Sequence, residues 1–264
     1  MSRGTARTGR SLLALPAGLA VLLLGLPVAA LLWRGLAGGG LAGADAGPIA
    51  LALALSLATT AISLPIVLVL GAPLAWILAR STFPGKALVE TLVDLPIVLP
   101  PSVAGLALLL AWGRNGVAGP VLEVAGVAIP FTTFAVVLAQ VFVALPFFVR
   151  ATRAGLAGVA AELEEAAAID GAGPLAVARH VSLPVAAPAV AAGILLAWAR
   201  ALGEFGATMM FAGSLPGRTQ TLPLLVYVEL QGSTDAAIAA ACVLVVAALV
   251  VLVAVRRTAW RAVL

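Results

Sequence analysis

Hydrophobic residues fall in long unbroken runs along this chain, and the charges gather in the stretches between them. A helical run of about 20 apolar residues crosses the ~30 Å hydrocarbon core of a bilayer. Backbone groups inside lipid must pair internally, which leaves helices or a closed barrel. The runs are continuous rather than alternating, and that selects helices. Six spans are predicted: Leu12 to Trp33, one within Pro48 to Ala79, Leu95 to Trp112, one within Val124 to Val149, one from Pro184 past Trp198 to Glu204, and Ala236 to Val255. The expected organisation is a cytoplasmic tail over 1–11, a single transmembrane domain over 12–255 and a cytoplasmic tail over 256–264. The first run, 22 residues long, exceeds the roughly 7–15 residues of a signal-peptide core and is expected to stay as an anchor. Pro96, Pro100 and Pro101 are expected to kink or delay the third span.

Composition sharpens this picture. Hydrophobic residues make up 63% of the 264, charged residues 10%, and mean hydropathy is +1.18. An ordinary soluble domain carries about 25% charged residues. A soluble enzyme, a disordered chain and a secreted disulfide scaffold are all excluded. The single cysteine, Cys242, lies in the last run and reads as a small packing residue.

The net charge of +4 comes from 14 arginines and one lysine against 11 acids. Scattered between apolar runs, these cations report membrane orientation rather than nucleic-acid binding. Arg3, Arg7, Arg10, Arg80, Lys86, Arg150, Arg153, Arg179, Arg256, Arg257 and Arg261 place 11 on one side, against three, Arg34, Arg114 and Arg218, on the other. The positive-inside rule then puts both termini and the loop from Arg150 to Pro184 in the cytoplasm.

That loop is the longest on its side. Leu156, Val159, Leu163 and Ala167 recur at helical spacing, with Glu162, Glu164 and Glu165 on the polar arc. Gly171 and Gly173 break the helix, and Pro174 begins a second one. The expected shape is a rigid protrusion of two short helices, with small residues at Ala166 to Ala168 that admit another surface.

Here the residues resemble a known family. Glu165, Ala166, Ala167, Gly171, Val181, Leu183 and Pro184 are similar to the E-A-A, Gly, hydrophobic, Leu-Pro signature of bacterial ABC importer permeases, which usually carry Ile where Val181 stands. The resemblance implies an all-α permease fold of six transmembrane helices in the bacterial inner membrane. It implies a homodimer that encloses the path, and a coupling helix seated in a groove of a cytoplasmic ABC ATPase subunit. No P-loop is present: Lys86 follows Gly85 but precedes Ala87. The resemblance therefore implies no cofactor on this chain, with ATP and magnesium acting on the partner ATPase.

A second segment narrows the class. Gly203 to Pro223 reads GEFGATMMFAGSLPGRTQTLP. It is similar to molybdate/tungstate permeases; sulfate permeases share only its first part. The resemblance implies import of an oxyanion delivered by an extracytoplasmic binding protein. Arg200 and Glu204 are spaced i, i+4. They form either a mutual ion pair or, with Thr208 one turn on, part of an oxyanion path. Gly203 and Gly206 are expected to let helices approach closely. Arg218 and Gln220, in an outer loop, are candidates for contact with the binding protein or are solvated. His180 reads as polar surface, and no metal-ligand cluster or catalytic constellation is visible in the sequence. The rival classes are a sulfate or thiosulfate permease, a gradient-driven secondary transporter and an intramembrane enzyme.

Overall fold

The computed structural model describes residues 5–37 and 45–263, with side chains over 14–37 and 45–253. Arg3 and the side chains of Arg7, Arg10, Arg256, Arg257 and Arg261 lie outside the described residues. Every regular element among those described is helical.

Five of the expected spans appear as long apolar helices: α1 (Thr5–Ala37), α2 (Ala46–Arg80), α6 (Thr133–Ala157), α9 (Leu183–Leu202) and α12 (Thr234–Val263). The expected third span is divided. Its first part belongs to α3 (Lys86–Val98) and its second is α4 (Pro101–Trp112), separated at Leu99 and Pro100. The cause is local. Pro100 and Pro101 lack amide hydrogens, and each disfavours helical backbone in the residue before it, so Leu99 takes an extended conformation at φ −63°, ψ 132°. Pro101 then sits at the first position of α4, where its missing donor costs nothing. At 12 residues, α4 rises only about 18 Å, too short to cross the bilayer alone.

The fourth span begins later than its apolar run. Residues from Val124 to Thr132 form the end of α5 (Gly119–Val124) and a loop, and Thr132 caps α6 by accepting from Ala135 N at 3.2 Å.

Helix α6 is the axis of the molecule. It packs along α2 on one side and α9 on the other, and α3 lies against its far end. Val67, Val137, Val141, Ala144, Phe148, Ala197 and Ala201 fill the junction of α2, α6 and α9. A buried polar patch ties α2 to α6 inside this apolar packing. Ser63 donates to Gln140 Oε1 at 2.7 Å, and Gln140 Nε2 donates to Thr59 at 3.1 Å. In lipid such interhelical bonds add to association because the hydrophobic effect between helices is absent. At the end of α6, Arg153 pairs with Glu90 at 2.8 Å and Arg150 with Asp94 at 3.5 Å, fastening α3. Helix α1 stands at the edge and packs against α12, where Cys242 Sγ lies 3.5 Å from Leu31 O.

The short helices α4 and α10 (Gly206–Phe211) cross each other closely. A Cβ on Gly206 would collide with Pro101, and one on Gly105 would lie 2.6 Å from Met210 Cβ and 2.7 Å from Ala207 O. Gly105→Val is expected to force the crossing apart and cost about 1–3 kcal/mol, as overpacking of a close-packed core does. Gly18→Val, on α1 with nothing within 4 Å, is the control. Thermal unfolding of both variants in detergent is the measurement, and equal midpoints would contradict the tight crossing.

Candidate functional site

The loop from Arg150 to Pro184 folds as expected in outline but not in phase. The helix does not run from Leu156 through Ala167. Helix α6 continues to Ala157, the chain turns at Gly158 to Ala160, and α7 (Ala161–Ile169) starts anew. Leu156 and Val159 therefore belong to the transmembrane end, buried with Ala186 against Trp76 and Val190. Helix α7 has no buried residue of its own.

The end of α7 explains Gly171. Gly171 N donates to Ala168 O at 3.1 Å and Ala172 N to Ala167 O at 2.9 Å, with Gly171 at φ +92°. These two bonds and the left-handed glycine are the Schellman close of a helix. No atom lies within 4 Å of a Cβ built there, so backbone conformation alone requires glycine. Pro174 then opens α8 (Pro174–Val177), and a π-turn over Ala178–Ser182 leads into α9. Within that turn, Leu183 N donates to Ala178 O five residues back.

The signature residues are spread over this hairpin. Glu165 and Ala166 are exposed on α7, Ala167 is half-buried, Val181 is half-buried in the π-turn, and Leu183 and Pro184 open α9 with exposed side chains. Two residues outside the signature stand out. Ile169 is 86% exposed and Leu175 82% exposed, on either side of the Gly171 turn. The two leave an apolar pair bare at the tip of an otherwise polar turn. The only sequence signal for it was a large apolar residue on each side of the Gly171 and Gly173 breaks, Ile169 before them and Leu175 after.

The glutamates of α7 divide in a way that the polar-arc reading does not capture. Glu162 and Glu165 face solvent, while Glu164 turns inward to Arg80 and Ser182.

The second cluster lies at the other end of α9. The helix stops at Leu202, Gly203 caps it, and α10 begins at Gly206. Arg200 and Glu204 do form an ion pair, with Nη1 to Oε2 at 2.5 Å, but across a helix end rather than along one face. Glu204 is 1% exposed, and its Oε1 accepts from Ala207 N at 2.7 Å in the first turn of α10. One carboxylate therefore neutralises Arg200 and satisfies a free amide of the next helix. The Arg200 side chain stays 29% exposed. Thr208 is buried in the chain, with no hydrogen-bond partner for its hydroxyl among the described residues. Phe205, between the two helices, packs on Tyr227 of α11 (Leu222–Leu230) with ring centroids 5.0 Å apart.

In the loop between α10 and Leu222, Arg218 is exposed, while Gln220 is buried and donates to Ser214 Oγ at 3.2 Å. The loop is tightly wound: the amides of Arg218, Thr219 and Gln220 all converge on Leu215 O at 2.9–3.0 Å. The structure does not bring this loop to the α7 hairpin; the two lie beyond opposite ends of the segment Leu183–Leu202.

Comparison with known proteins places this geometry. The chain is 48% identical over 202 residues to the molybdenum transport system permease protein ModB of Mycobacterium tuberculosis, covering 76% of each chain. It is 42% identical over 165 residues to the sulfate transport system permease protein CysW of Synechococcus elongatus, covering 62% of this chain and 58% of that one. The fold is shared with a bacterial ABC transporter involved in import of the acidic polysaccharide alginate, with TM-score 0.74 at 17% identity, over 97% of this chain and 96% of that one. The family model for the inner membrane component of binding-protein-dependent transport systems matches residues 71–259. With that match spanning the α7 hairpin and both helix breaks, the chain belongs to the binding-protein-dependent transport system inner membrane components.

Proposed function

We propose that this chain is the permease subunit of an ATP-driven importer that moves molybdate, or the isosteric tungstate, into the cytoplasm. The single observation that supports the substrate most is the 48% identity over 202 residues with a relative named for molybdenum transport. Sulfate is the second reading, favoured by the 42% identity with a relative named for sulfate transport.

In this reading two copies form the transporter and enclose the path between them. The termini, tails 1–11 and 256–264, and the α7 hairpin face the cytoplasm, in line with the cation count. Each hairpin, from Glu165 through Gly171 to Val181, Leu183 and Pro184, seats in an ATPase subunit that binds ATP and magnesium. Ile169 and Leu175 supply the apolar contact that the exposed helix otherwise lacks. On the outer side Arg218 meets a loaded binding protein, and Gln220 holds the loop that presents it.

The translocation chemistry rests on Arg200, Glu204 and Thr208. An oxyanion in transit needs positive potential but must also leave. Arg200 neutralised by Glu204 is a weak anion site, which suits passage better than storage. Closure of the ATPase dimer draws the two hairpins together and turns the path outward. Partner binding tips such a switch only if the two states lie within a few kcal/mol of each other.

The test is ATPase stimulation in lipid nanodiscs. The dimer is reconstituted with its ATPase and a binding protein loaded in turn with molybdate, tungstate and sulfate. Stimulation by molybdate or tungstate and not by sulfate is expected. Stimulation by sulfate alone would replace the substrate, and transport driven by an ion gradient without ATPase would replace the class.

A further inference from the structure

Glu164 joins three elements through one oxygen. Its Oε1 accepts from Ser182 Oγ at 2.5 Å and pairs with the guanidinium of Arg80. Arg80 is the last residue of α2, and its guanidinium carbon lies 6.0 Å from the ring centre of Trp76 one turn earlier. Trp76 in turn packs on the buried cluster of Leu156, Val159 and Ala186. Ser182 is fully buried at the end of the π-turn, directly before α9. Among the described residues, no other ion pair reaches α7.

The consequence is mechanical. Helix α7 buries no side chain, so apolar packing does not fasten it to the membrane helices. A charge-assisted bond to arginine is directional and short, and it transmits displacement where a loose apolar contact would slip. The π-turn holds one residue more per turn than α-helix and marks a place where helical register shifts. Beyond it, α9 runs 20 residues to Arg200 and Glu204, a lever of about 30 Å. Helices α2 and α9 both pack on α6, so they share one axis.

We propose that Glu164 is a positioning residue that converts movement of α7 into movement of α2 and α9, with Arg80 and Ser182 as its two anchors. The inference rests on α7 docking an ATPase, and it places the step from the ATPase to the Arg200 end of the path in this one carboxylate. It separates two duties within the hairpin. Exposed residues such as Ile169 hold the partner, while Glu164 carries its motion inward.

The experiment uses the full transporter in nanodiscs with its ATPase and molybdate-loaded binding protein. Glu164→Gln keeps the shape and removes the charge. Ser182→Ala removes the second anchor with a smaller disturbance. Glu162→Gln, on the exposed side, is the control. Three quantities are read: affinity for the ATPase subunit, basal hydrolysis and hydrolysis stimulated by the loaded binding protein. Affinity and basal hydrolysis are expected to stay at wild-type level in all variants. Stimulation is expected to fall at least about fivefold in Glu164→Gln and Ser182→Ala, the lower end of usual coupling between sites. The Arg80→Gln/Glu164→Gln double variant is expected to be no worse than Glu164→Gln, because both changes break one contact. Wild-type stimulation in Glu164→Gln and Ser182→Ala would overturn the proposal. Loss of ATPase affinity in both would also overturn it, since Glu164 would then merely shape the docking surface. Failure of the wild-type chain to bind any ATPase would instead overturn the docking reading on which the inference stands.

Discussion

If α7 docks an ATPase as proposed, Ile169→Lys is expected to weaken that docking strongly while leaving the permease folded. Ile169 closes α7 and is 86% exposed, with Leu175 across the turn equally bare. A lysine there removes no contact within the chain. It also sits in the last turn of the helix, where a cation faces the free carbonyls and the negative end of the dipole favourably. Folding stability is therefore expected to stay within about 0.5 kcal/mol of wild type, as for surface changes away from special features. In the proposed complex the same lysine would have to bury its ammonium in an apolar contact. A central apolar anchor is worth about 2 kcal/mol or more, roughly a thirtyfold loss of affinity. Affinity of the nanodisc-embedded dimer for the ATPase, read beside thermal unfolding, is the measurement. Unchanged affinity and uptake would remove Ile169 from the interface. Gly171→Ala is expected to act more weakly, through the roughly 1–2 kcal/mol strain of a left-handed residue with a Cβ.

The second large effect concerns Arg200. Arg200→Met leaves Glu204 at 1% exposure with its charge uncompensated. Removing one member of a buried pair costs about 3–5 kcal/mol. The lower end applies here, because Arg200 itself is 29% exposed. Stability alone does not separate a packing pair from a path cation, but the double variant does. In Arg200→Met/Glu204→Gln no charge is buried, and the side-chain carbonyl of the introduced glutamine still accepts from Ala207 N, so stability is expected to return close to wild type. If Arg200 supplies positive potential to the oxyanion, uptake stays lost despite that recovery. Thermal unfolding in detergent and oxyanion uptake in proteoliposomes together decide. Recovery of both would leave Arg200 and Glu204 as a structural pair at a helix end.

Much of the outline is legible in the sequence, for definite reasons. Unbroken apolar runs of bilayer length leave little choice but helix, and five of the six run as single long helices. The Gly171 turn is legible because glycine and proline act through the local backbone, which needs no distant partner. The Arg200 to Glu204 pair is legible from spacing, but its form is not. Glu204 lies past the end of α9, and its carboxylate accepts from Ala207 N at the start of α10, a placement that spacing does not reveal. The position of Thr132 as the cap of α6 is hidden because the apolar run starts well before it.

The hairpin shows the limit most clearly. Leu156 and Leu163 are spaced as one stripe, yet they sit on different helices. Periodicity reads a face only while the helix is continuous, and Leu156 is committed to a buried cluster with Ala186 and Val190, far downstream. Glu164 looks like its neighbours Glu162 and Glu165, because a string of three acids in a loop carries no mark of which one turns inward. Arg80 is 84 positions away, and no local rule connects them. The polar patch of Thr59, Ser63 and Gln140 is equally silent, its members being single residues in separate apolar runs.

What this sequence determined by itself is what the solvent imposes. Lipid demands helices of bilayer length, and proline and glycine divide them. Each of these acts on residues near one another along the chain. The tertiary structure decided which distant charges meet and what form the local Arg200 to Glu204 pair takes. It gave Glu164 to Arg80 and Ser182, Glu204 to Arg200 and the amide of Ala207, and Arg150 and Arg153 to Asp94 and Glu90. A salt bridge needs its partners within about 4 Å, and only the folded packing of helices brings distant positions that close.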